Sequence, residues 1–129
     1  GVDPAGVGRR GELLVPADPR RLGWWVGGAA PGDPGGTVLV AGHVDTAERG
    51  RGVLFGLERL AMGARVEVDT ATGRLAYRVI ARRSYRKTGL PRQLFDARQP
   101  HRLALVTCGG RFRDGAYDRN VIVYAEPVR

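Results

Sequence analysis

Short apolar runs separated by clusters of glycine and proline restrict the fold of this chain more than any other feature. The run 37–42 is almost continuously apolar, as in a strand buried on both faces. The run 65–69 alternates apolar and charged residues, a pattern typical of a strand with one buried face. The cluster 31–36 is rich in glycine and proline, which predicts a turn. The chain therefore reads as short strands joined by turns.

The remaining runs extend this pattern over the whole chain. Further strands are predicted over 75–80, 103–107 and 120–125, with weaker candidates at 13–15 and 22–26, and the segment 71–73 suits a tight hairpin turn. Helical patterning is confined to two short stretches, 55–60 and 91–97. A length of 129 residues is typical of one domain, so residues 1–129 are expected to form a single all-β barrel or sandwich.

The charge balance points to a second class of function. The chain has 21 basic and 13 acidic residues, a formal net charge of +8. Such a surface attracts polyanions, for example nucleic acid or anionic lipid. All the basic residues except Lys87 are arginine, which is typical of a GC-rich genome, and they are scattered without a nucleic-acid-binding motif. A basic β-barrel that binds nucleic acid or another polyanion without catalysis is therefore the alternative hypothesis.

Three residues capable of catalysis lie at predicted strand ends. His43 directly follows the run 37–42, and the single cysteine, Cys108, directly follows the strand 103–107. Arg119 directly precedes the last strand. Strand ends hold side chains in fixed geometry beside the loops that contact substrate. Taken singly, each residue also has an ordinary explanation: a buried thiol, an exposed loop histidine, or one arginine among many.

Together the three residues supply the groups for cysteine acyl transfer. The thiolate of Cys108 is the nucleophile, and nearby cationic groups favour its formation. His43 pairs with it and protonates the leaving amine as general acid. Arg119 keeps its charge and stabilises the oxyanion that develops on the substrate carbonyl. Asp45, close to His43 in sequence, is expected to cap a turn. No metal or cofactor is expected.

At this point the chain resembles a sortase, one of the membrane-anchored cysteine transpeptidases of Gram-positive bacteria. The string 105–108 resembles the T-L-x-T-C nucleophile motif of that family, with valine at the variable position. The string 41–43 resembles its histidine segment, and Arg119 its catalytic arginine. The pair Trp24-Trp25 is similar to the actinobacterial class E and F branches. Class F is favoured because of the string 108–112, which reads Cys-Gly-Gly-Arg-Phe.

The resemblance implies a closed or nearly closed β-barrel of seven to eight strands with one or two short helices. It also implies a reaction: cleavage of an LPXTG-like sorting signal between Thr and Gly through a thioacyl intermediate on Cys108. The acyl group then passes to an amine of a cell-wall precursor or to water. Thr107 is expected to contact substrate. The segment 84–101 would cover the substrate groove, where Leu90, Leu94 and Phe95 either line the groove or belong to the core.

The resemblance also predicts the setting of the enzyme. Sortases begin with a membrane helix that this sequence does not show, so a trimmed ectodomain from the outer face of the cell membrane is expected. Its partners would be secreted proteins with an LPXTG-like signal, and nucleic acid would not be one of them. A monomer is expected. The residues 1–10 look short for a first strand, and His101, which has no motif around it, is expected at the surface.

Overall fold

The described part of the chain is built almost entirely from strands. The computed structural model describes residues 2–5, 21–42, 45–46, 50–51, 57–71, 73–86, 91–113 and 116–128. Its strands are β1 (Val2–Ala5), β2 (Leu22–Trp25), β3 (Thr37–Ala41), β4 (Asp45–Thr46), β5 (Gly50–Arg51), β6 (Arg65–Thr70), β7 (Gly73–Arg86), β8 (Arg102–Arg113) and β9 (Ala116–Pro127). The two 3₁₀ helices are η1 (Leu57–Arg59) and η2 (Arg92–Phe95). None of the described helices is long and apolar enough to cross a membrane.

Seven of the strands form one sheet in the order β1-β2-β3-β8-β9-β7-β6, and β4 pairs with β5 separately. The central pair, β3 and β8, is parallel, with Thr37 opposite Arg102 and Ala41 opposite Val106. Strands β8 and β9 run antiparallel, as do β9 and β7. Because β3 and β8 are parallel, the chain that follows Ala41 leaves β3 beside Val106, while β8 continues to Arg113 paired with β9.

The sheet curls around an inner cluster of core residues. Alternate residues of the central strands, Val38 and Val40 in β3 and Leu103 and Leu105 in β8, form this inner cluster. Side chains from the two sides of the sheet pack against the same cluster: Leu22, Trp24, Val66, Val68 and Leu75. Since β2 and β6 lie far apart in the strand order, a flat sheet would not bring both onto one cluster. The curl gives the barrel-like shape.

The residues between those of the inner cluster form a second cluster on the outer face, which includes Leu39, Ala104, Val106 and Ile122. Leu94 of η2 is 1% exposed and packs into this cluster. Both faces of β3 and β8 are therefore covered, which is why run 37–42 carries almost no polar residue.

The structure confirms the predicted all-β class and most of the predicted elements. The predicted strands 22–26, 37–42, 65–69, 75–80, 103–107 and 120–125 correspond to β2, β3, β6, β7, β8 and β9. The segment 71–73 joins β6 to β7 as a hairpin, with Gly73 at a φ of 140°. The stretches 55–60 and 91–97 contain η1 and η2, each a short 3₁₀ helix. The candidate strand 13–15 lies outside the described residues.

Candidate active site

The pairing of β8 with β9 makes the backbones of two of the predicted catalytic residues neighbours. The antiparallel register places Cys108 opposite Asn120 and Gly109 opposite Arg119. Cys108 and Arg119 are therefore diagonal neighbours on adjacent strands, and strand spacing and rise put their α-carbons about 6 Å apart. The Arg119 side chain is exposed, whereas the side chain of Cys108 lies outside the described part. Cys108 and Arg119 do not belong to one common sequence motif. Their backbones are neighbours because β8 pairs with β9.

A buried hydrogen bond joins β8 to the end of β3 beside this position. The hydroxyl of Thr107, which is 3% exposed, donates to the carbonyl oxygen of Gly42 at 2.7 Å. The backbone N–H of Gly42 donates to the carbonyl of Val106 at 3.1 Å. Gly42 thus extends the parallel ladder by one residue beyond Ala41. The Thr107 hydroxyl thus holds β8 to the end of β3. A contact between Thr107 and substrate stays a prediction.

This bond relates the predicted nucleophile to the predicted histidine. Gly42 and Thr107 are bonded to each other, and each is followed directly by a predicted catalytic residue, His43 and Cys108. His43 itself lies outside the described residues. The residues that directly precede His43 and Cys108 are therefore adjacent in the structure. Sequence reasoning did not find the Thr107–Gly42 bond, because the threonine shows no sign of a partner 65 residues away.

The segment 91–101, which directly precedes β8, lies across the outer face of the sheet. Its helix η2 anchors Leu94 in the outer cluster, and Phe95 meets Trp25 of β2 edge to face with ring centroids 4.8 Å apart. The backbone N–H of Gly36 donates to the carbonyl of Gln99, so the segment is tied to the start of β3 as well. Of the two roles expected for Leu94, the structure shows the core role. The segment thus forms a fixed wall on the outer face.

Comparison with protein-family models now identifies the chain. The sortase domain model matches residues 6–128, which is nearly the whole sequence. The chain belongs to the sortase family. The curated proteins give no match to it.

Solved structures of sortases share the fold at low sequence identity. Sortase C1 of Streptococcus agalactiae, in complex with MTSET, superposes with a TM-score of 0.68 at 16% identity, over 84% of this chain and 55% of that one. Sortase A from Corynebacterium diphtheriae gives 0.67 at 21% identity, over 84% and 48%. A Clostridium perfringens sortase D5 transpeptidase gives 0.66 at 20%, over 84% and 62%. The present chain spans about half the length of these sortases.

A cavity of this sortase lies at the other end of the sheet from Cys108. It measures about 830 Å³ and is bordered by Tyr77, His101, Asp33 and Glu126, among others. The hydroxyl of Tyr77 lies 2.8 Å from Nε2 of His101, and burial raises the pKa of this hydroxyl. Nδ1 of His101 is buried and has no hydrogen-bond partner among the described residues. His101, which was expected at the surface, is half-buried and borders this cavity.

Proposed function

We propose that the chain is the catalytic domain of a cysteine transpeptidase that cleaves an LPXTG-like sorting signal between Thr and Gly. The observation that carries the proposal is the pairing of the β8 and β9 backbones at Cys108 and Arg119, beside the bonded pair Gly42 and Thr107. The backbones of Cys108 and Arg119 are neighbours across the β8–β9 ladder. The Thr107–Gly42 bond holds the residue before His43 next to the residue before Cys108. Membership of the sortase family supports the same reaction.

In the proposed acylation step, the Cys108 thiolate attacks the carbonyl carbon of the substrate threonine. The C–N bond to glycine breaks, and His43 gives its proton to the leaving amine. The guanidinium of Arg119 stabilises the negative charge on the carbonyl oxygen of the tetrahedral intermediate. The product is a thioester on Cys108, with the glycine side of the signal released.

In the second step, an amine of a cell-wall precursor attacks the thioester carbonyl. His43 accepts the proton of that amine, the C–S bond breaks, and the Cys108 thiolate leaves. Water takes the place of the amine when transfer gives way to hydrolysis. The protein substrate would be a secreted protein that carries the sorting signal near its C-terminus.

We further propose class F, with class E as the nearest alternative, because the string 108–112 and the pair Trp24-Trp25 are similar to those branches. The solved structures that share the fold include sortases of classes A, C and D, and that likeness concerns the fold alone. We place the enzyme at the outer face of the cell membrane, as a monomer whose single catalytic domain spans residues 1–129.

The test is cleavage of a fluorogenic LPXTG peptide by the wild type and by two variants. Cys108→Ala should abolish cleavage, since no other cysteine is present to form a thioester. Arg119→Lys keeps the charge and loses the planar fork, so it should lower kcat with little effect on KM. Arg65→Gln, an exposed arginine on β6, is the matched control and should cleave like the wild type. Turnover retained by Cys108→Ala would contradict the proposal.

A further inference from the structure

A groove rich in positive charge lies beside the wall formed by η2. It measures about 340 Å³ and is lined by Ile80, Arg83, Tyr85, Gln93, Arg102 and Tyr124, among others. We call it the arginine groove. Its described lining contains two guanidinium groups, two phenol hydroxyls and two glutamine amides, but no carboxylate. Its polar groups are thus mostly hydrogen-bond donors, and its charge is positive.

Arg102 is fixed in this groove by three contacts. Its Nε donates to Oγ1 of Thr37 at 3.0 Å, and one Nη donates to the carbonyl of Gln93 at 3.4 Å. Its guanidinium carbon lies 4.8 Å from the centre of the Tyr124 ring, in cation–π geometry. These contacts hold the planar fork in place before any ligand arrives, so binding an anion costs little side-chain entropy.

Arg83 adds a second positive charge to the groove. It lies on β7 and is exposed, and its guanidinium donates to the carbonyl of the adjacent residue at 3.1 Å. In the described part of the chain, Arg74 and Arg98 pair with carboxylates, whereas neither Arg83 nor Arg102 does. An arginine that does not pair with a carboxylate of its own chain can bind an anion from outside the chain.

Two tyrosine hydroxyls complete the groove. The hydroxyls of Tyr85 and Tyr124 lie 3.2 Å apart, so one of them donates to the other. Burial and this bond raise the pKa of Tyr124, while the charges of Arg102 and Arg83 act in the opposite direction. The Tyr124 hydroxyl therefore remains protonated at neutral pH.

The sheet register relates the groove to the proposed nucleophile. Tyr85 lies opposite Asn120, which lies opposite Cys108, so the three positions share one line across β7, β9 and β8. Arg83 lies two residues further along β7, which is about 7 Å at the usual rise. Two strand spacings of about 4.8 Å separate β7 from β8. The α-carbons of Arg83 and Cys108 are therefore about 12 Å apart.

We propose that the arginine groove binds the carboxylate of the amine acceptor, an inference that rests on the proposed transpeptidase function. The acceptor would be a short peptide with a free amine at one end and an acidic group at the other, long enough to cover the roughly 12 Å between the α-carbons of Cys108 and Arg83. Its amine reaches the thioester on Cys108 while its carboxylate is held by Arg83 and Arg102. The groove thereby selects acidic peptide amines over neutral ones.

The test compares two acceptors that differ in one charge. Tetraglycine and tetraglycinamide share the same amine, and each is about 13 Å long when extended. Transfer from an LPXTG peptide is measured at increasing acceptor concentration, and donor hydrolysis is recorded in the same reactions. The wild type should half-saturate with tetraglycine at a concentration about five-fold or more below that for tetraglycinamide. Diglycine, about 7 Å long, is too short to span the two sites and should show no such advantage over its amide.

The variant Arg83→Gln should bring the ratio between the two acceptors close to one. Arg83 is exposed and makes one bond to its neighbour's carbonyl, so this change should leave folding intact. Arg102→Lys, which keeps the charge and loses the fork, should reduce the ratio in part. The control Arg65→Gln removes an equal charge outside the groove and should keep the full ratio. Equal use of both acceptors by the wild type, or a ratio unchanged in Arg83→Gln, would overturn the proposal.

A second measurement separates this proposal from the proposed function. Titration of the wild type with tetraglycine should shift the NMR resonances of the Arg83 and Arg102 side-chain N–H groups, and tetraglycinamide should not. If the enzyme fails to cleave the LPXTG peptide, the transpeptidase proposal fails while this binding experiment still decides on the groove. If cleavage proceeds but neither arginine responds to tetraglycine, the groove assignment alone is wrong.

Discussion

Removing the Thr107 hydroxyl perturbs the site directly, because this hydroxyl links the residue before Cys108 to the residue before His43. Thr107→Val keeps the shape of the side chain and removes the 2.7 Å bond to the Gly42 carbonyl. The loss of a net hydrogen bond is worth about 1 kcal/mol, and a buried carbonyl left without a partner costs about 1–3 kcal/mol. We therefore expect the free energy of unfolding to fall by about 1–3 kcal/mol.

The same substitution should lower activity by more than the stability change explains. Once the bond is lost, the backbone before His43 is held to β8 only by the bond from the Gly42 N–H to the Val106 carbonyl. Small misplacements of reacting groups cost about 100-fold in rate, so we expect kcat to fall by about 10- to 100-fold with KM changed little. The assay is cleavage of the fluorogenic LPXTG peptide at a temperature well below the unfolding midpoint, with urea denaturation run in parallel.

Thr107→Ser is the matched control, because it keeps the hydroxyl and removes the methyl group. It should lose about 1 kcal/mol of stability through the smaller buried volume. Its kcat should stay close to that of the wild type. If Thr107→Val keeps full kcat, or if Thr107→Ser loses as much kcat as Thr107→Val, the hydroxyl does not position the site and the reasoning is refuted.

Three further predictions concern stability. Leu94→Ala should lower the free energy of unfolding by about 2–5 kcal/mol in urea titrations, because Leu94 is 1% exposed and fills the outer cluster; a loss well below 1 kcal/mol would show that the wall is loosely packed. Tyr77→Phe removes the bond to His101 and leaves both ring nitrogens without a described partner, so a loss of about 1–2 kcal/mol is expected, and no loss would contradict the pairing. Hydrogen bonds from Arg98 lower the pKa of Asp96, so its small contribution is present above the usual carboxyl range and is lost as pH falls through the lowered value. Asp96→Asn should accordingly flatten the acid limb of the stability curve, and an unchanged limb would contradict it.

The sequence predicts the strands well where burial alone determines the pattern. The run 37–42 is apolar because both faces of β3 are covered, and 65–69 alternates because one face of β6 is exposed. The prediction stops short on β7, which continues from Gly73 to Arg86 rather than ending near residue 80. A shift in register between Val79 and Ala81 reverses the alternation there, so the polar stretch that follows looks like a loop in the sequence.

Candidate residues for the site can be chosen from the sequence, but their contacts cannot. Cys108 and Arg119 stand out in sequence because each lies at the end of an apolar run. Their proximity depends on the β8–β9 register, and the Thr107–Gly42 bond depends on the parallel β3–β8 pairing. The arginine groove was missed for a similar reason. Arg83 and Arg102 are 19 positions apart in a chain full of arginine, and the fold is what separates them from carboxylates.

The most direct test of the account is the mass of the enzyme during turnover. The wild type is mixed with an LPXTG peptide, quenched in acid within the first turnovers and measured intact by mass spectrometry. We predict an adduct equal in mass to the peptide up to and including its threonine, located on Cys108 after digestion and removed by hydroxylamine. Cleavage of the peptide without any adduct on Cys108, or an adduct on another residue, would contradict the central claim.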